Sequence, residues 1–218
     1  MGPIVLSVNE IFVVDHPIVA DKVRELRASS TSNADFLRLA GEITRFLTYE
    51  AFRFAPTTPT TVDTPVMMAA PAVQLEQEYL IVPILRAGLG MSPQVQEVLP
   101  RHRVCLVGLR RNEETLQPTV YLDGLPRELE GASVVLCDPM LATGGSLVTV
   151  LDMLVSRGAG EITVLCLIAA EAGVAFVRRH HPTIRIVAAA CDPVLNEQGY
   201  ILPGLGDAGD RLFGLPVH

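Results

Sequence analysis

Residues 134–146 read VVLCDPMLATGGS, and this stretch decides the fold. Its first four residues are apolar without interruption, which is typical of a strand buried on both faces of a parallel sheet. Apolar residues then recur at helical spacing, at Leu147, Val150, Leu151 and Leu154. A strand that turns through glycines into a helix leaves backbone N–H groups free beside the positive end of the helix dipole. We therefore predict a phosphate site in this turn, with Asp138 at its edge.

The same order of strand, turn and helix recurs along the chain from Tyr79 onward. Apolar runs predict strands at 80–82, 103–109, 133–137, 161–170 and 184–190, with helices between several of them. This alternation predicts an α/β fold with a doubly wound, mostly parallel sheet flanked by helices. Ligands of such sheets bind beyond the carboxyl ends of the strands, where the strand order reverses. The polar and glycine-rich segments that follow the strands should therefore converge on one site.

The rest of the chain predicts additions to this core within one domain, 1–218. Residues 1–55 form a helical flank, with one helix from Pro17 to about 29 and another from 31–33 to about 52. His16 suits a helix cap better than a ligand. Residues 56–75, rich in Pro and Thr, predict a loop that leads into an edge strand or short β-arm near 60–68. Residues 76–192 form the core, and the glycine-rich residues 193–218 show no clear period.

Composition excludes several classes of protein. The chain has 218 residues, a net charge of −7 and no Trp. An acidic protein is repelled by nucleic acid and anionic membranes, so we expect neither as a partner. No apolar run approaches the ~20 residues that span a bilayer, and the start of the chain lacks a signal-peptide pattern. The four cysteines form no CxxC pair, which predicts free thiols in a cytoplasmic protein and no zinc site.

The turn at 138–146 matches neither of two well-known phosphate motifs. It has neither the GxxxxGK[ST] pattern of a P-loop nor the GxGxxG pattern of a dinucleotide site. From these residues alone, an ordinary strand-to-helix turn therefore remains the alternative to a phosphate site.

Several longer stretches resemble one known family. DPMLATGGS at 138–146 resembles the phosphoribosyl pyrophosphate (PRPP) loop of type I phosphoribosyltransferases, in the form used by the uracil branch. The branch is also similar at PILRAGLGM (83–91), RNEETLQP (111–118), GYILPGLGDAGDRLFG (199–214) and LTYEA (47–51). These matches occur in the family's order and cover nearly the whole chain. The resemblance implies transfer of the phosphoribosyl group of PRPP to N1 of uracil, giving UMP and pyrophosphate.

The resemblance also implies a PRPP site. Its residues would be Arg86, Arg111, Asp138, Pro139, Met140, Leu141, Ala142, Thr143, Gly144, Gly145, Ser146 and Asp207. Within this set, residues 143–146 would hold the 5′-phosphate, Asp138 the ribose hydroxyls, and Arg86 and Arg111 the pyrophosphate. Arg111 and Asp207 would be the catalytic residues. Residues 110–118 would form a closing lid, although a solvated hairpin tip fits their mixed charge equally well.

The resemblance assigns uracil to a C-terminal hood at residues 193–218. Backbone groups of Ile201, Gly206 and Ala208 would match the acceptor–donor–acceptor edge of the base, with Asp207 beside them. The competing idea of a calcium loop at Asp207 and Asp210 lacks DxDxDG spacing. No general base is evident, so we expect catalysis by positioning and by stabilisation of the departing charge.

Pro139 stands where many type I enzymes carry a second acid. We therefore expect no metal site made by the protein, and Mg²⁺ bound mainly through PRPP oxygens and water. The resemblance further admits GTP as an effector, and the apolar flank and the arm suggest a homodimer or homotetramer. Two other readings stay open: a regulatory RNA-binding relative, which the acidic charge disfavours, and an inactive PRPP sensor or an enzyme for another base.

Overall fold

The computed structural model describes residues 11–111 and 118–214. Its helices are α1 (Pro17–Arg27), α2 (Asn33–Ala51), α3 (Ser92–Val98), α4 (Gly145–Ser156), α5 (Glu171–His180) and α6 (Ala208–Phe213), with a 3-10 helix at Ala87–Gly90. Its strands are β1 (Phe12–Val13), β2 (Thr57–Val62), β3 (Ala70–Leu75), β4 (Tyr79–Leu85), β5 (His102–Val104), β6 (Val107–Arg111), β7 (Pro118–Asp123), β8 (Ser133–Cys137), β9 (Met140–Leu141), β10 (Ile162–Ala170), β11 (Arg185–Asp192), β12 (Val194–Leu195) and β13 (Ile201–Leu202).

A nine-stranded sheet forms the centre of the molecule, in the order β1-β11-β10-β8-β4-β6-β7, with β5 paired to β4 and β9 to β10. All its pairings are parallel except that of β6 with β7, which is an antiparallel hairpin. The chain moves outward from β4 in one direction, then returns to β8 on the other side of β4. The strand order therefore reverses between β4 and β8. This confirms the predicted doubly wound, mostly parallel fold.

Two apolar cores cover the two faces of the sheet. Ile81 of β4 packs with the core that holds the buried faces of α1, α2 and α3. Its neighbours Leu80 and Val82 point the other way, into the core made with α4 and α5. Successive side chains of a strand alternate between faces, so helices on both faces require the unbroken apolar runs seen in the sequence. Every residue of β10 is buried.

The helical flank begins where the sequence predicts. Nδ1 of His16 accepts the backbone N–H of Ile18 at 3.2 Å, which confirms His16 as the cap of α1. The hydroxyl of Ser32 accepts the N–H of Asp35 at 3.1 Å and caps α2 in the same way. Across the described residues, no helix combines the length and the apolar character needed to cross a membrane.

The arm is a two-stranded hairpin. β2 and β3 pair antiparallel from Thr57 with Leu75 to Val62 with Ala70. This hairpin confirms the predicted short β-arm, although most of 60–68 is its turn, where Oδ1 of Asp63 accepts the N–H of Ala69 at 2.8 Å. Since the hairpin has only two strands, both are edge strands, and prolines are tolerated in each.

The C-terminal hood is more regular than its sequence suggests. β12 and β13 pair as a short antiparallel hairpin, and the Leu202–Pro203 peptide bond is cis. Asp207 then caps α6, because its Oδ1 accepts the N–H of Asp210 at 2.9 Å. A helix of six residues is too short to show a period, so the sequence pattern hid it.

Candidate active site

Two clefts lie at opposite ends of the sheet. One of about 420 Å³ is lined at the amino-terminal ends of strands by residues such as Tyr79, Ile162 and Arg185. The other, of about 230 Å³, lies at the carboxyl ends of β4 and β8, where the strand order reverses. Because doubly wound sheets bind their ligands at that reversal, the smaller cleft is the candidate active site.

The smaller cleft collects most of the residues predicted to bind PRPP. Its lining includes Arg86, Asp138, Met140, Leu141, Ala142, Thr143, Gly144 and Ser146. Pro139 and Gly145 are not among the lining residues. Sequence reasoning missed the apolar part of the lining, at Ile84, Leu85, Ala87, Leu109 and Leu147. They lie at the end of β4, in the 3-10 helix that follows it, within β6 and in the first turn of α4, and only the strand order brings these segments together.

The turn that follows Asp138 is held by the neighbouring strand. β9 pairs with β10, and the carbonyl of Pro139 accepts the N–H groups of Leu167 and Ile168, each at 3.0 Å. Gly144 has a φ of 87°, which favours glycine, and a Cβ there would lie 3.0 Å from the carbonyl oxygen of Gly173. The turn is therefore fixed before any ligand arrives, with α4 beginning immediately after it.

Asp138 is the acidic side chain among the residues that line this cleft. Burial raises its pKa to about 6 from the ordinary 3.8, and the N–H of Met140, which donates to Oδ1 at 3.4 Å, acts in the opposite direction. The carboxylate is thus mostly ionised at pH 7 but is poorly solvated. Such a group gains from hydroxyl donors supplied by a ligand. Burial also raises the pKa of Cys137 to about 12, which argues against a nucleophilic thiolate beside it.

Arg86 links the cleft to the hood. It follows β4 through a cis peptide bond to Leu85. Its Nη2 lies 3.7 Å from Oδ1 of Asp210, and its guanidinium lies 5.9 Å from the ring centre of Phe213. The side chain is 60% exposed, so this ion pair is loose and screened by water. A dianionic ligand in the cleft could therefore replace Asp210 as the partner of the guanidinium at a low cost in free energy.

The predicted uracil residues border the cleft but do not line it. Ile201 and Ala208 are buried, whereas Gly206 and Asp207 are exposed. A Cβ built at Gly199 would lie 3.8 Å from Cγ2 of Thr143, and one at Gly209 would lie 3.9 Å from Cβ of Ala87. The hood therefore lies against the edge of the cleft at two places, the phosphate turn and the turn that follows β4.

Arg111 and the predicted lid are only partly described. Arg111 is the last residue of β6 and pairs with Pro118 of β7. Its side chain and residues 112–117 lie outside the described part of the chain. The roles predicted for Arg111 and for the lid stay predictions.

Sequence reasoning also missed three side chains that hold the hood: Arg27, Asp192 and Arg211. Arg27 ends α1 and forms a bidentate ion pair with Asp192 at the end of β11, with both N–O distances 2.7 Å. Arg211 of α6 donates to backbone carbonyls near the end of α1. The one usable signal was the position of Asp192 after a buried strand, since strand ends face the cleft.

Comparison with known proteins identifies a family. The model of the family described as uracil phosphoribosyltransferase matches residues 13–215. A uracil phosphoribosyltransferase of Bacillus licheniformis is 45% identical over 206 residues, covering 94% of this chain and 99% of that protein. One of Kineococcus radiotolerans is 46% identical over 206 residues, covering 93% of this chain and 98% of that protein.

Solved structures agree on the fold. The AQ2163 protein of Aquifex aeolicus superposes with a TM-score of 0.90 at 35% identity, covering 96% of this chain and 100% of that one. A purine phosphoribosyltransferase of Pyrococcus horikoshii, at 15% identity and a TM-score of 0.50, covers 72% of this chain and 93% of its own. At that identity, the second likeness shows the fold alone, which is that of the type I phosphoribosyltransferases.

Proposed function

The chain belongs to the uracil phosphoribosyltransferase family, and from that premise we propose how it transfers the phosphoribosyl group of PRPP to N1 of uracil, giving UMP and pyrophosphate. One observation carries the assignment of residues. The turn at 138–146, Arg86 and the rim of the hood meet around a single cleft of about 230 Å³. Each part suits a different portion of the two substrates.

The phosphate turn suits the ribose 5-phosphate. The N-terminus of α4, a helix of 12 residues, lies beside Thr143 and Ser146 in the cleft wall. Backbone N–H groups and hydroxyls there would bind the 5′-phosphate oxygens, and the helix dipole would add to the attraction. Asp138 would accept hydrogen bonds from the ribose hydroxyls, which replace the water that its carboxylate has lost.

Arg86 suits the pyrophosphate. A planar guanidinium binds phosphate oxygens in pairs, which suits a doubly anionic group better than an ammonium does. We assign Arg111 to the same group, where both cations would stabilise the charge that grows as pyrophosphate leaves. The transition state resembles an oxocarbenium ion, which water could intercept, so a closing lid at 110–118 would protect it.

The hood suits uracil. Backbone groups of Ile201, Gly206 and Ala208 would pair with O4, N3–H and O2 of the base. Cytosine carries a donor where uracil has O4, which would leave a backbone N–H unpaired and weaken binding. Oδ1 of Asp207 caps α6, so its other oxygen is left for the ribose and pyrophosphate side. We infer that positioning and charge stabilisation carry the reaction in place of a general base.

The cleft fits a magnesium ion that arrives with PRPP. Asp138 is the single acidic residue in its lining, and the described residues hold no group of three or more potential metal ligands. Mg²⁺ is commonly bound by one or two carboxylates together with substrate phosphates. When bound, it would neutralise charge on the pyrophosphate. The protein's part would be to orient PRPP through Arg86, Asp138 and the phosphate turn.

The direct test is product formation. The purified chain, incubated with PRPP and Mg²⁺, should convert uracil to UMP and leave cytosine, hypoxanthine and orotate unchanged. Separate reactions without PRPP and without Mg²⁺ serve as controls. Absence of UMP would overturn the assignment, and a nucleotide of another base would replace uracil as the substrate. RNA binding in a gel shift at ordinary salt would revive the regulatory alternative.

Self-association and regulation belong to the same proposal. The arm exposes Val66, Met68 and Val73 although it contains two strands and no core of its own. Such a surface is stabilised by contact with another subunit, which supports a homodimer or homotetramer. Light scattering should give a mass of two or four chains, and Met68→Asp should lower it.

GTP is proposed as an effector, and its addition to the assay tests that role. The free thiols support a cytoplasmic location.

A further inference from the structure

We propose that Arg27 and Asp192 are positioning residues for the base: together they fix the peptide groups of Gly204, so that helix α1 sets the geometry of the uracil-reading backbone. This inference rests on the proposed function, because it concerns how the hood reads its base. The pair lies outside the cleft lining and would act through the hood backbone.

The contacts converge on one residue. Nη1 and Nη2 of Arg27 each lie 2.7 Å from an oxygen of Asp192. Nη1 of Arg27 also donates to the carbonyl of Gly204 at 2.7 Å. Oδ2 of Asp192 accepts the N–H of Gly204 at 2.9 Å. Both polar backbone groups of Gly204 are thus satisfied by one ion pair.

Arg211 reinforces this contact from the opposite side. Its guanidinium donates to the carbonyls of Leu26 at 2.8 Å, Ala28 at 2.7 Å and Leu205 at 2.9 Å. It also stacks on Phe36, 4.3 Å from the ring centre. Arg27 of α1 therefore reaches into the hood while Arg211 of the hood reaches back to the end of α1. We call these contacts the arginine clasp: Arg27, Asp192, Gly204 and Arg211.

Gly204 lies between the predicted base-reading positions Ile201 and Gly206. It has a φ of 56°, and a Cβ there would collide with the carbonyl oxygen of Ile201. The segment therefore makes a tight turn at this residue, and a rotation of its peptide groups would move the backbone on both sides. Hydrogen-bond readout loses strength steeply with misalignment, so a fixed Gly204 is needed for a fixed base site.

The cost of burial favours a positioning role over a purely stabilising one. The side chains of Arg27 and Asp192 are 20% and 7% exposed. A buried ion pair is often no more stabilising than apolar residues of similar size, whereas removal of one partner strands a charge. An apolar pair could fill the same space but could not donate to one group of Gly204 and accept from the other.

The test separates stability from positioning. Arg27→Met and Asp192→Leu should each lower the Tm, because each strands one buried charge. The double variant Arg27→Met/Asp192→Leu strands none, so its Tm should recover toward that of the wild type. If the pair positions the base, KM for uracil should remain raised in the double variant, on the order of 10-fold, with KM for PRPP nearly unchanged. Discrimination of uracil against cytosine should fall in parallel.

The controls make each outcome decisive. Arg24→Met removes an exposed arginine of the same helix and should change neither KM. If a single variant fails to fold, Arg27→Lys keeps the charge, loses the paired geometry and should show the same selective rise in KM for uracil. Recovery of KM for uracil together with Tm, or equal changes in both KM values, would overturn the inference. Absence of UMP formation by the wild type would instead overturn the proposed function.

Discussion

The phosphate turn at 138–146 leads from the central strand β8 into α4, whereas the described part of the hood, residues 193–214, contacts the end of α1, which is distant in sequence. The turn is stabilised by neighbours in its own sheet, since Pro139 bonds to the adjacent β10. The hood contains two-residue strands and a six-residue helix. Arg27 of the distant α1 holds it, and its own Arg211 donates to the end of α1. Two halves of one site are thus built by different means.

The difference follows from what each half has to recognise. A phosphate is a compact anion that one helix N-terminus and one glycine turn can bind. A flat base read by backbone groups requires three peptide units at fixed distances, and short segments cannot fix those distances alone. We therefore expect substitutions in the turn to affect PRPP and substitutions around the hood to affect uracil.

The largest effect is expected at Arg86, which contacts both halves. Arg86→Ala should lower kcat/KM for PRPP by about 100-fold, because it would remove the donor that we propose for the departing pyrophosphate. Arg103→Ala is the matched control, since Arg103 is also loosely paired and similarly exposed, at 63% against 60% for Arg86. Steady-state kinetics with varied PRPP measure the effect. Equal activity of the two variants would remove Arg86 from the site.

Asp138→Asn should follow, with kcat/KM for PRPP lower by about 10- to 100-fold. The amide keeps the shape of the carboxyl group but loses the charge that would strengthen the proposed bonds to the ribose hydroxyls. Asp15→Asn, at an exposed position before α1, is the control. An unchanged KM for PRPP with a raised KM for uracil would show that Asp138 serves the uracil half of the site and not the PRPP half.

A pair of glycine substitutions compares the two halves directly. Gly144→Ala should raise KM for PRPP, and Gly204→Ala should raise KM for uracil, each by roughly 10-fold. Both residues have positive φ, 87° and 56°, and strain there costs on the order of 1–3 kcal/mol. Gly131→Ala controls for strain alone, since Gly131 has a φ of 68° and no heavy atom within 4 Å of an added Cβ. If Gly144→Ala and Gly204→Ala changed the two KM values in the same way, the division of the site into a PRPP half and a uracil half would be contradicted.

The smallest effect concerns stability and pH without ligand. Asp138 has a folded pKa of about 6 against an ordinary 3.8, so between these values the folded chain binds more protons than the unfolded chain. The free energy of unfolding therefore falls as the pH rises from about 4 to about 6, and the loss is complete above that window.

Asp138→Asn removes this loss. The free energy of unfolding of the variant, measured relative to that of the wild type, should be higher at pH 7.5 than at pH 4 by on the order of 1 kcal/mol. Calorimetry at the two pH values measures the difference, with Asp15→Asn again as the control. A gain independent of pH would mean that the carboxylate is better solvated than its burial implies. Lower activity together with higher stability would mark Asp138 as a functional residue.

The sequence predicted the phosphate turn better than the hood, because the turn is built from neighbouring residues and the hood depends on contacts between distant ones. The turn at 138–146 is local, so a strand pattern, two glycines and a helix pattern were sufficient to place it. The six-residue α6 and the hairpin of the arm are too short or too polar to show a period. Arg27 and Gly204 are 177 residues apart, and neither carries a local signal of their contact. Asp210, which pairs with Arg86, was considered only as part of a calcium loop.

The arginine clasp joins residues from the two ends of the chain, and this has a consequence for synthesis. Gly204, whose carbonyl accepts from Arg27, is synthesised 177 residues after it. The strands and the turn that form the phosphate half are all translated before that point. Since folding during translation proceeds from the N-terminus, a nascent chain should acquire the phosphate half first. The proposed base site, which needs Gly204, would form only after the phosphate half.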